Sequence, residues 1–267
     1  MSGGRLQDKV AVVVGAGQMP GEAVGNGRAA ALLFAREGAT VLAVDRDLAS
    51  AQETVDLIEA EGGTAVAARA DVTSEADIEA FVKTCREQWG RIDVLHNNVG
   101  VALAGGDAPV SQIDADSYTN LININLRGMV LAAKHVIPLM QEQGGGAIVN
   151  ISSNAVLIDY PYVSYKTSKA GIVALTEHIA MAHAKDGIRA NAILPGLMNT
   201  PMAVERRIGD AVTREDVIAD RRSRVPLDRT GTAWDVAESA LFLASDAAAF
   251  ITGASLVVDG GQSLSAG

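Results

Sequence analysis

The sequence predicts an α/β fold with one doubly wound parallel sheet and helices on both faces. Three observations support this prediction. Strand-like and helix-like segments alternate along the chain, as they do in βαβ units. The strand-like segments are short, continuous apolar runs, which indicate buried strands. A glycine-rich turn joins the first strand to an alanine-rich helix, and the second strand ends in Asp45. This is the layout of the Rossmann fold.

Local signals set the boundaries of the predicted elements. Strands are expected at residues 9–14, 40–44, 64–69, 92–96, 147–151, 189–194 and 255–259. Helices are expected from the alanine-rich segment after Gly27 to residue 37, and at 48–61, 75–89, 116–141, 164–184 and 233–244. Ser74 and Thr232, each with an Asp three residues later, predict variant capping boxes. Pro138 predicts a kink or a new start within the helix at 116–141.

The 267 residues and their 48% hydrophobic content predict one domain covering residues 1–267. Its dinucleotide-binding half is expected at 8–100, and its catalytic and substrate half at 101–267. A substrate loop is expected at 197–225. No internal repeat or linker interrupts the alternation of strands and helices.

Bulk properties exclude several classes of function. The net charge of −10 argues against a nucleic-acid or anionic-membrane partner, because both require a basic surface. Cys85 is the only cysteine, so no internal disulfide is possible, and the four histidines lack metal-ligand spacing. We therefore predict no metal site. No apolar run reaches the length of a membrane span, and no secretory signal is found. A soluble, cytoplasmic protein is expected.

The turn after the first strand has the glycines of a phosphate-binding loop. Gly15 begins the turn, and Gly25 and Gly27 directly precede the helix. Glycines let the backbone approach a pyrophosphate, and a helix N-terminus offers N–H groups and positive potential to phosphates. A carboxylate at the position of Asp45 accepts hydrogen bonds from ribose hydroxyls and repels a 2′-phosphate. The pattern predicts a dinucleotide cofactor, and Asp45 favours NAD over NADP.

A second pattern carries the chemistry. Tyr165 and Lys169 are four residues apart, so on a helix they share one face. A nearby ammonium favours the phenolate and lowers the pKa of a tyrosine, which then exchanges protons with an alcohol or carbonyl oxygen near neutral pH. Ser153 follows an apolar strand, and its hydroxyl is a second hydrogen-bond partner for the same oxygen.

The strand ending in Ser153, followed by Tyr165-x-x-x-Lys169, resembles the catalytic segment of the short-chain dehydrogenases/reductases. The resemblance covers nearly the whole chain. It implies that Tyr165 is the general acid/base, that Lys169 lowers the pKa of Tyr165 and binds the cofactor ribose, and that Ser153 orients the substrate oxygen. Asn125, in a motif similar to the family's Asn-x-x-Gly element, is implied to hold a water that leads from Lys169 toward solvent.

The same resemblance implies the cofactor contacts beyond the glycine-rich turn. The segment Asn97-Asn98-Val99-Gly100 resembles the family's Asn-Asn-Ala-Gly element, with valine for alanine. The implied cofactor-binding residues are Gly15, Gln18, Gly25, Asn26, Gly27, Asp45, Arg46, Asp71, Val72, Asn98, Val99, Gly100, Tyr165, Lys169, Pro195, Gly196, Met198 and Thr200.

The phosphate turn departs from the family pattern. Nine residues separate Gly15 from Gly25, and the segment at 18–24 resembles an insertion. Gly17 and Gly21 are alternatives for the middle glycine. Gln18 offers no positive charge at a position where NADP-dependent relatives often have one. Arg46, directly after Asp45, would partly offset that carboxylate.

These patterns favour an NAD-dependent oxidoreductase that interconverts a secondary alcohol and a ketone. An NADPH-dependent 3-oxoacyl-type reductase and a non-catalytic NAD sensor remain as alternatives. Arginines in the substrate loop are compatible with an acidic substrate, although a solvated amphipathic helix is the simpler interpretation. The small-molecule substrate is not identified, and a homotetramer is expected by family analogy alone.

Overall fold

The computed structural model describes residues 3–102, 105–209 and 211–265. Nine strands are found in these ranges: β1 (Val10–Val14), β2 (Thr40–Asp45), β3 (Thr64–Arg69), β4 (Val94–Asn97), β5 (Gly146–Ile151), β6 (Ile188–Pro195), β7 (Met198–Asn199), β8 (Gly231–Thr232) and β9 (Ser255–Val258). Seven of them form one parallel sheet in the order β3-β2-β1-β4-β5-β6-β9, and β7 pairs separately with β8.

Ten helices accompany the strands of the described ranges: α1 (Asn26–Arg36), α2 (Leu48–Ala60), α3 (Glu75–Gln88), α4 (Ala115–Ile122), α5 (Gly128–Glu142), α6 (Val163–His183), α7 (Pro201–Val204), α8 (Arg214–Ser223), α9 (Ala233–Ala244) and α10 (Gln262–Ser265). The strand order reverses between β1 and β4. In doubly wound sheets, ligands bind at the carboxyl ends of the strands beside such a reversal. The predicted fold class is therefore confirmed.

Two apolar cores cover the two faces of the sheet. Alternate residues of β1 enter different cores, so Ala11 and Val13 join one, and Val12 and Val14 join the other. The first core is completed mainly by α1, α2 and α9, and the second by α3, α5 and part of α6. Burial on both faces explains why the strand reads as the continuous apolar run VAVVV.

The region predicted as one helix at 116–141 contains a change in helix geometry. α4 ends at Ile122, one π-helical turn spans Asn123–Arg127, and α5 then begins. The new start predicted at Pro138 is wrong, because α5 continues through that proline. The irregularity instead surrounds Asn125, whose side chain is fully buried and hydrogen-bonded to the backbone of Val101 in the loop after β4.

Several smaller predictions are confirmed. Ser74 caps α3, and Thr232 with Asp235 forms a complete capping box at α9. His96 is a packed strand residue, with its ring 5.8 Å from that of Phe34 in an edge-on contact. Burial lowers the pKa of His96 to about 4 and raises the pKa of the buried Cys85 thiol to about 12. No helix among the described residues is both long and apolar enough to cross a membrane.

Candidate active site

β5 brings two serines to the carboxyl edge of the sheet, and their roles differ. The Ser152 hydroxyl is buried and donates to the backbone carbonyl of Lys169 at 2.8 Å. The Ser153 hydroxyl accepts a hydrogen bond from the backbone N–H of Ala155 at 3.2 Å. It also interacts with the side chain of Tyr165 and acts to lower the pKa of that phenol. The second serine of the pair thus lies beside the tyrosine.

A distant carboxylate anchors Tyr165. The N-cap residue of α6, Tyr162, makes no side-chain capping bond. Instead, the buried Asp107 accepts hydrogen bonds from the backbone N–H groups of Ser164 at 2.8 Å and Tyr165 at 2.9 Å. The sequence prediction missed Asp107 because it lies 58 positions before Tyr165, whereas recognisable capping motifs are local. The aromatic ring of Tyr160 adds a contact 5.4 Å from that of Tyr165.

Lys169 is buried on the same face of α6 as Tyr165. Its amino group donates to the backbone carbonyl of Ile151 at 2.8 Å and lies 5.5 Å from the centre of the Tyr165 ring. A Cβ built on Gly100 would be only 3.1 Å from the same nitrogen. Lys169 therefore reaches from α6 to the loop that follows β4.

Asn125 holds that loop in place. Its side-chain carbonyl accepts from the backbone N–H of Val101 at 2.7 Å, and its amide donates to the Val101 carbonyl at 2.9 Å. The amide also donates to the Ser168 hydroxyl at 3.1 Å. Through these bonds, Asn125 connects the loop at Val101 to α6. The water relay implied by the family resemblance stays a prediction.

The direction of the Tyr165 pKa shift differs from the prediction. Burial raises the pKa of Tyr165, and the smaller opposing effect of Ser153 does not reverse the shift. Burial also lowers the pKa of Lys169 to about 7, so its positive charge is partly lost at neutral pH. The expected lowering of the tyrosine pKa is therefore wrong for this structure, because desolvation raises that pKa and the opposing effect comes from Ser153 and not from Lys169.

The glycine-rich turn packs closely against the ends of β1 and β4. Gly15 has a left-handed φ of 88°, and its carbonyl accepts a hydrogen bond from the Asn98 side chain at 3.1 Å. A Cβ on Gly27 would overlap that same carbonyl, and a Cβ on Gly15 would lie 2.9 Å from the Val99 side chain. Gly25 is less constrained, since its nearest contact would be Gln18 at 3.2 Å. A side chain at position 27 would therefore clash with the backbone, whereas one at position 25 would only crowd a side chain.

Gln18 closes the inserted segment. Its side-chain carbonyl accepts from the backbone N–H of Gly25 at 2.9 Å. Its own backbone N–H donates to the Ser50 hydroxyl at 2.8 Å, and that hydroxyl donates back to the Gln18 carbonyl at 3.0 Å. The segment at 18–24 is therefore a loop with a bonded base, and not an extension of α1.

Asp45 lies at the predicted end of β2 and faces the turn. One carboxylate oxygen accepts from the backbone N–H of Gly17 at 3.0 Å, and the other from that of Asp47 at 3.1 Å. The carboxylate orders the turn and keeps further lone pairs for ribose hydroxyls. Arg46 is exposed, and its charge adds to the lowering of the Asp71 pKa, which arises mainly from hydrogen bonds with Thr73.

The other implied cofactor residues lie along the same edge of the sheet. Asp71 follows β3 and accepts two hydrogen bonds from Thr73, while Val72 packs against Gly128. Pro195 ends β6, and the backbone N–H of Gly196 donates to the Val258 carbonyl at 3.0 Å. Two more implied residues, in β7 and at the N-cap of α7, are largely buried: Met198 and Thr200.

One group of acidic and histidine side chains has a spacing that suits a metal ion, although the sequence indicated none. Ligand atoms of Glu75, Glu79 and His135 lie within 4.8 Å of one another on the described surface. The Glu75 carboxylate already pairs with Lys134 at 2.5 Å and His135 at 2.9 Å. Those partners lower the pKa of Glu75 to about 2, so the carboxylate stays ionised and is already bonded to Lys134 and His135.

The donor groups of the turn fit a dinucleotide. Among the described residues, no acceptor takes the N–H groups of Asn26, Gly27 or Arg28 in the first turn of α1. The Asn26 side-chain carbonyl is also buried without a partner. Free N–H groups at a helix N-terminus suit phosphates. The turn, the reversal of strand order and the Ser–Tyr–Lys set together define a nucleotide-dependent oxidoreductase.

Comparisons with known proteins specify the family. Residues 21–263 match a family model described as enoyl-(acyl carrier protein) reductase. The chain is 37% identical over 254 residues to 2-(R)-hydroxypropyl-CoM dehydrogenase of Xanthobacter autotrophicus, covering 94% of this chain and 97% of that protein. The chain belongs to the short-chain dehydrogenase/reductase family, whose members are NAD(P)-dependent oxidoreductases.

Solved structures agree with this assignment. The crystal structure of a putative short-chain dehydrogenase/reductase from Burkholderia xenovorans has a TM-score of 0.89 and 41% identity, with 98% of both chains covered. A 7α-hydroxysteroid dehydrogenase complexed with NADH and 7-oxo glycochenodeoxycholic acid has a TM-score of 0.86 and 32% identity. That comparison covers 96% of this chain and 95% of the dehydrogenase.

Proposed function

We propose that this protein is an NAD-dependent dehydrogenase that interconverts a secondary alcohol and a ketone. One observation carries the proposal: hydrogen bonds and close contacts connect the glycine-rich turn to the catalytic set. Asn98 bonds to Gly15, and Gly100, two residues later, lies against Lys169. Lys169 and Tyr165 share one face of α6, and Ser153 is beside Tyr165.

Each part of the proposed site would have its own role in the reaction. NAD would bind along the Gly15–Gly27 turn and the ends of β2, β3 and β4, and would accept or supply the hydride. The Ser153 hydroxyl would hydrogen-bond the substrate oxygen. The Tyr165 hydroxyl would exchange the proton with that oxygen. Because burial raises the pKa of Tyr165, the phenol holds its proton at neutral pH, as donation to a ketone requires.

The relatives support this reaction class. Both the dehydrogenase of hydroxypropyl-CoM and the hydroxysteroid dehydrogenase are named for oxidation of an alcohol, and the latter was solved with NADH. Asp45 supports NAD, because a carboxylate at the end of β2 would repel the 2′-phosphate of NADP. A homotetramer remains a proposal by family analogy.

A reductase of acyl substrates that uses NADPH is the second candidate. The description of the matching family model names an acyl-carrier-protein reductase, and exposed Arg46 offers a positive charge beside Asp45. Both of the Asp45 carboxylate oxygens are bonded to backbone N–H groups, which holds the carboxylate in the turn. We therefore favour NAD.

Calorimetric titration of the purified protein with NAD⁺ and NADP⁺ tests the proposal. We expect NAD⁺ to bind at least about tenfold more tightly, equivalent to about 1.4 kcal/mol. Tighter binding of NADP⁺ would favour the reductase. Binding of neither nucleotide would contradict the proposed function.

A further inference from the structure

The inserted loop at residues 18–24 contacts the segment that follows β7. We call this segment the lid and define it as α7, the 3₁₀ turn Glu205–Arg207 and α8. The base of the loop is bonded to Gly25 and Ser50. Its tip is therefore presented from a fixed base toward the lid.

The main contact is an arginine between two carboxylates. Arg214, at the start of α8, lies 3.3 Å through its Nε from the Glu22 carboxylate of the loop. Its Nη1 pairs with the Glu205 carboxylate of the lid. The Arg214 side chain is only 15% exposed, whereas that of Glu22 is 82% exposed. The guanidinium is thus largely enclosed at the junction and joins both segments.

Two further contacts accompany the ion pairs. The backbone of Gly21 is close to the lid, since a Cβ there would lie 2.9 Å from the Glu205 side chain and 3.0 Å from Pro201. An Nη atom of Arg206 lies 3.3 Å from the sulfur of Met19. The loop and the lid therefore meet through backbone packing, charge and a sulfur contact.

We propose that the insertion is a docking platform for the lid, and that Arg214 is the positioning residue that holds the two together. The proposal rests on the proposed function, because it treats the Gly15–Gly27 turn as the cofactor turn. One end of the contact belongs to that turn. The other end belongs to the segment that begins directly after Thr200, an implied cofactor ligand. On this proposal, opening of the lid would be coupled to release of the dinucleotide.

Limited trypsin digestion measures the contact without reference to catalysis. Arg206 and Arg207 lie in the 3₁₀ turn of the lid, whose backbone must open before trypsin cleaves it, and fragment masses identify cleavage there. When opening and closing are faster than cleavage, the cleavage rate follows the population of the open form. We expect Glu22→Gln to raise this rate about two- to fivefold, as for loss of a partly exposed ion pair.

Three other variants sharpen the test. Arg214→Gln loses both carboxylate partners, so its lid is expected to be cleaved faster than that of Glu22→Gln. The double variant should be cleaved at the same rate as Arg214→Gln alone. Glu142→Gln is the matched control, because its exposed carboxylate pairs with Arg86 at 2.7 Å, and neither residue belongs to the loop or the lid. It is expected to be cleaved at the wild-type rate.

Release of NADH, followed by the loss of its protein-enhanced fluorescence in a stopped-flow instrument, tests the coupling. Glu22→Gln should release NADH about two- to fivefold faster, by the same ion-pair estimate. Cleavage of the lid at the wild-type rate in Glu22→Gln, or equally fast cleavage in Glu142→Gln, would overturn the platform. Faster cleavage with unchanged NADH release would overturn the coupling. A wild-type protein that binds no nucleotide would contradict the proposed function, while the cleavage rates would still decide the platform.

Discussion

The amino group of Lys169 donates a hydrogen bond to the backbone carbonyl of Ile151 at 2.8 Å, which joins α6 to the end of β5. Lys169 is 2% exposed, and burial lowers its pKa to about 7. An unfolded lysine has a pKa of about 10.4. The lysine therefore connects catalytic geometry to the pH dependence of stability.

We expect Lys169→Met to stabilise the protein most at low pH. Between pH 7 and about 10.4 the folded state binds fewer protons than the unfolded state, so the stability of the wild type rises with pH in this window. Below pH 7 the cost of burying the charge is complete. The methionine variant removes that cost, worth about 1.4 kcal/mol for each pKa unit. Its melting temperature should exceed the wild-type value by several degrees at pH 6, and the gain should shrink toward pH 10. A gain in melting temperature that does not change with pH would contradict the lowered pKa of Lys169.

Gly27→Ala should destabilise the protein more than Gly25→Ala. A Cβ at Gly27 would overlap the carbonyl of Gly15, whereas Gly25 has a φ of −79° and its nearest contact is at 3.2 Å. Overpacking of this kind typically costs about 1–3 kcal/mol. Urea unfolding of both variants measures the difference. Equal stability of the two would show that the turn relaxes around the added methyl group.

Asp45→Asn should relax the cofactor preference. Removing the negative charge removes repulsion of a 2′-phosphate, and we expect the ratio of kcat/KM with NADP⁺ to that with NAD⁺ to rise at least about tenfold. Asp56→Asn, an exposed residue of α2, makes the same charge change away from the turn and serves as the control. If the ratio of kcat/KM for the two cofactors is unchanged in Asp45→Asn, the carboxylate only bonds the backbone of the turn and does not select the cofactor.

Local patterns predicted most of the fold. The strand 64–69 and the capping residues Ser74 and Thr232 depend on neighbours in sequence, and the structure confirms them. The π-helical turn at Asn125 was not predictable from local signals, and the side chain of Asn125 bonds to Val101, 24 residues away. Such bonds leave no periodic signal in the sequence.

The candidate site shows the same limit. The side chains proposed to react were predicted from residue type and spacing, whereas Asp107 was missed because its partners are far along the chain. The predicted pKa of Tyr165 had the wrong direction, because spacing along a helix carries no information about desolvation. The contact of the insertion with Arg214 also depends on tertiary packing.

Hydride transfer in a Tyr165→Phe variant tests the central claim most directly. Absorbance at the NADH band is followed for the wild type and the variant, with NAD⁺ and a panel of secondary alcohols. Tyr118→Phe, a partly exposed tyrosine of α4, is the control. We expect Tyr165→Phe to lower kcat at least about a hundredfold, as for loss of a general acid/base, and titration of the variant with NADH separates this loss from weaker cofactor binding. Turnover near the wild-type rate in Tyr165→Phe would contradict the assignment of this tyrosine as the proton-transferring group.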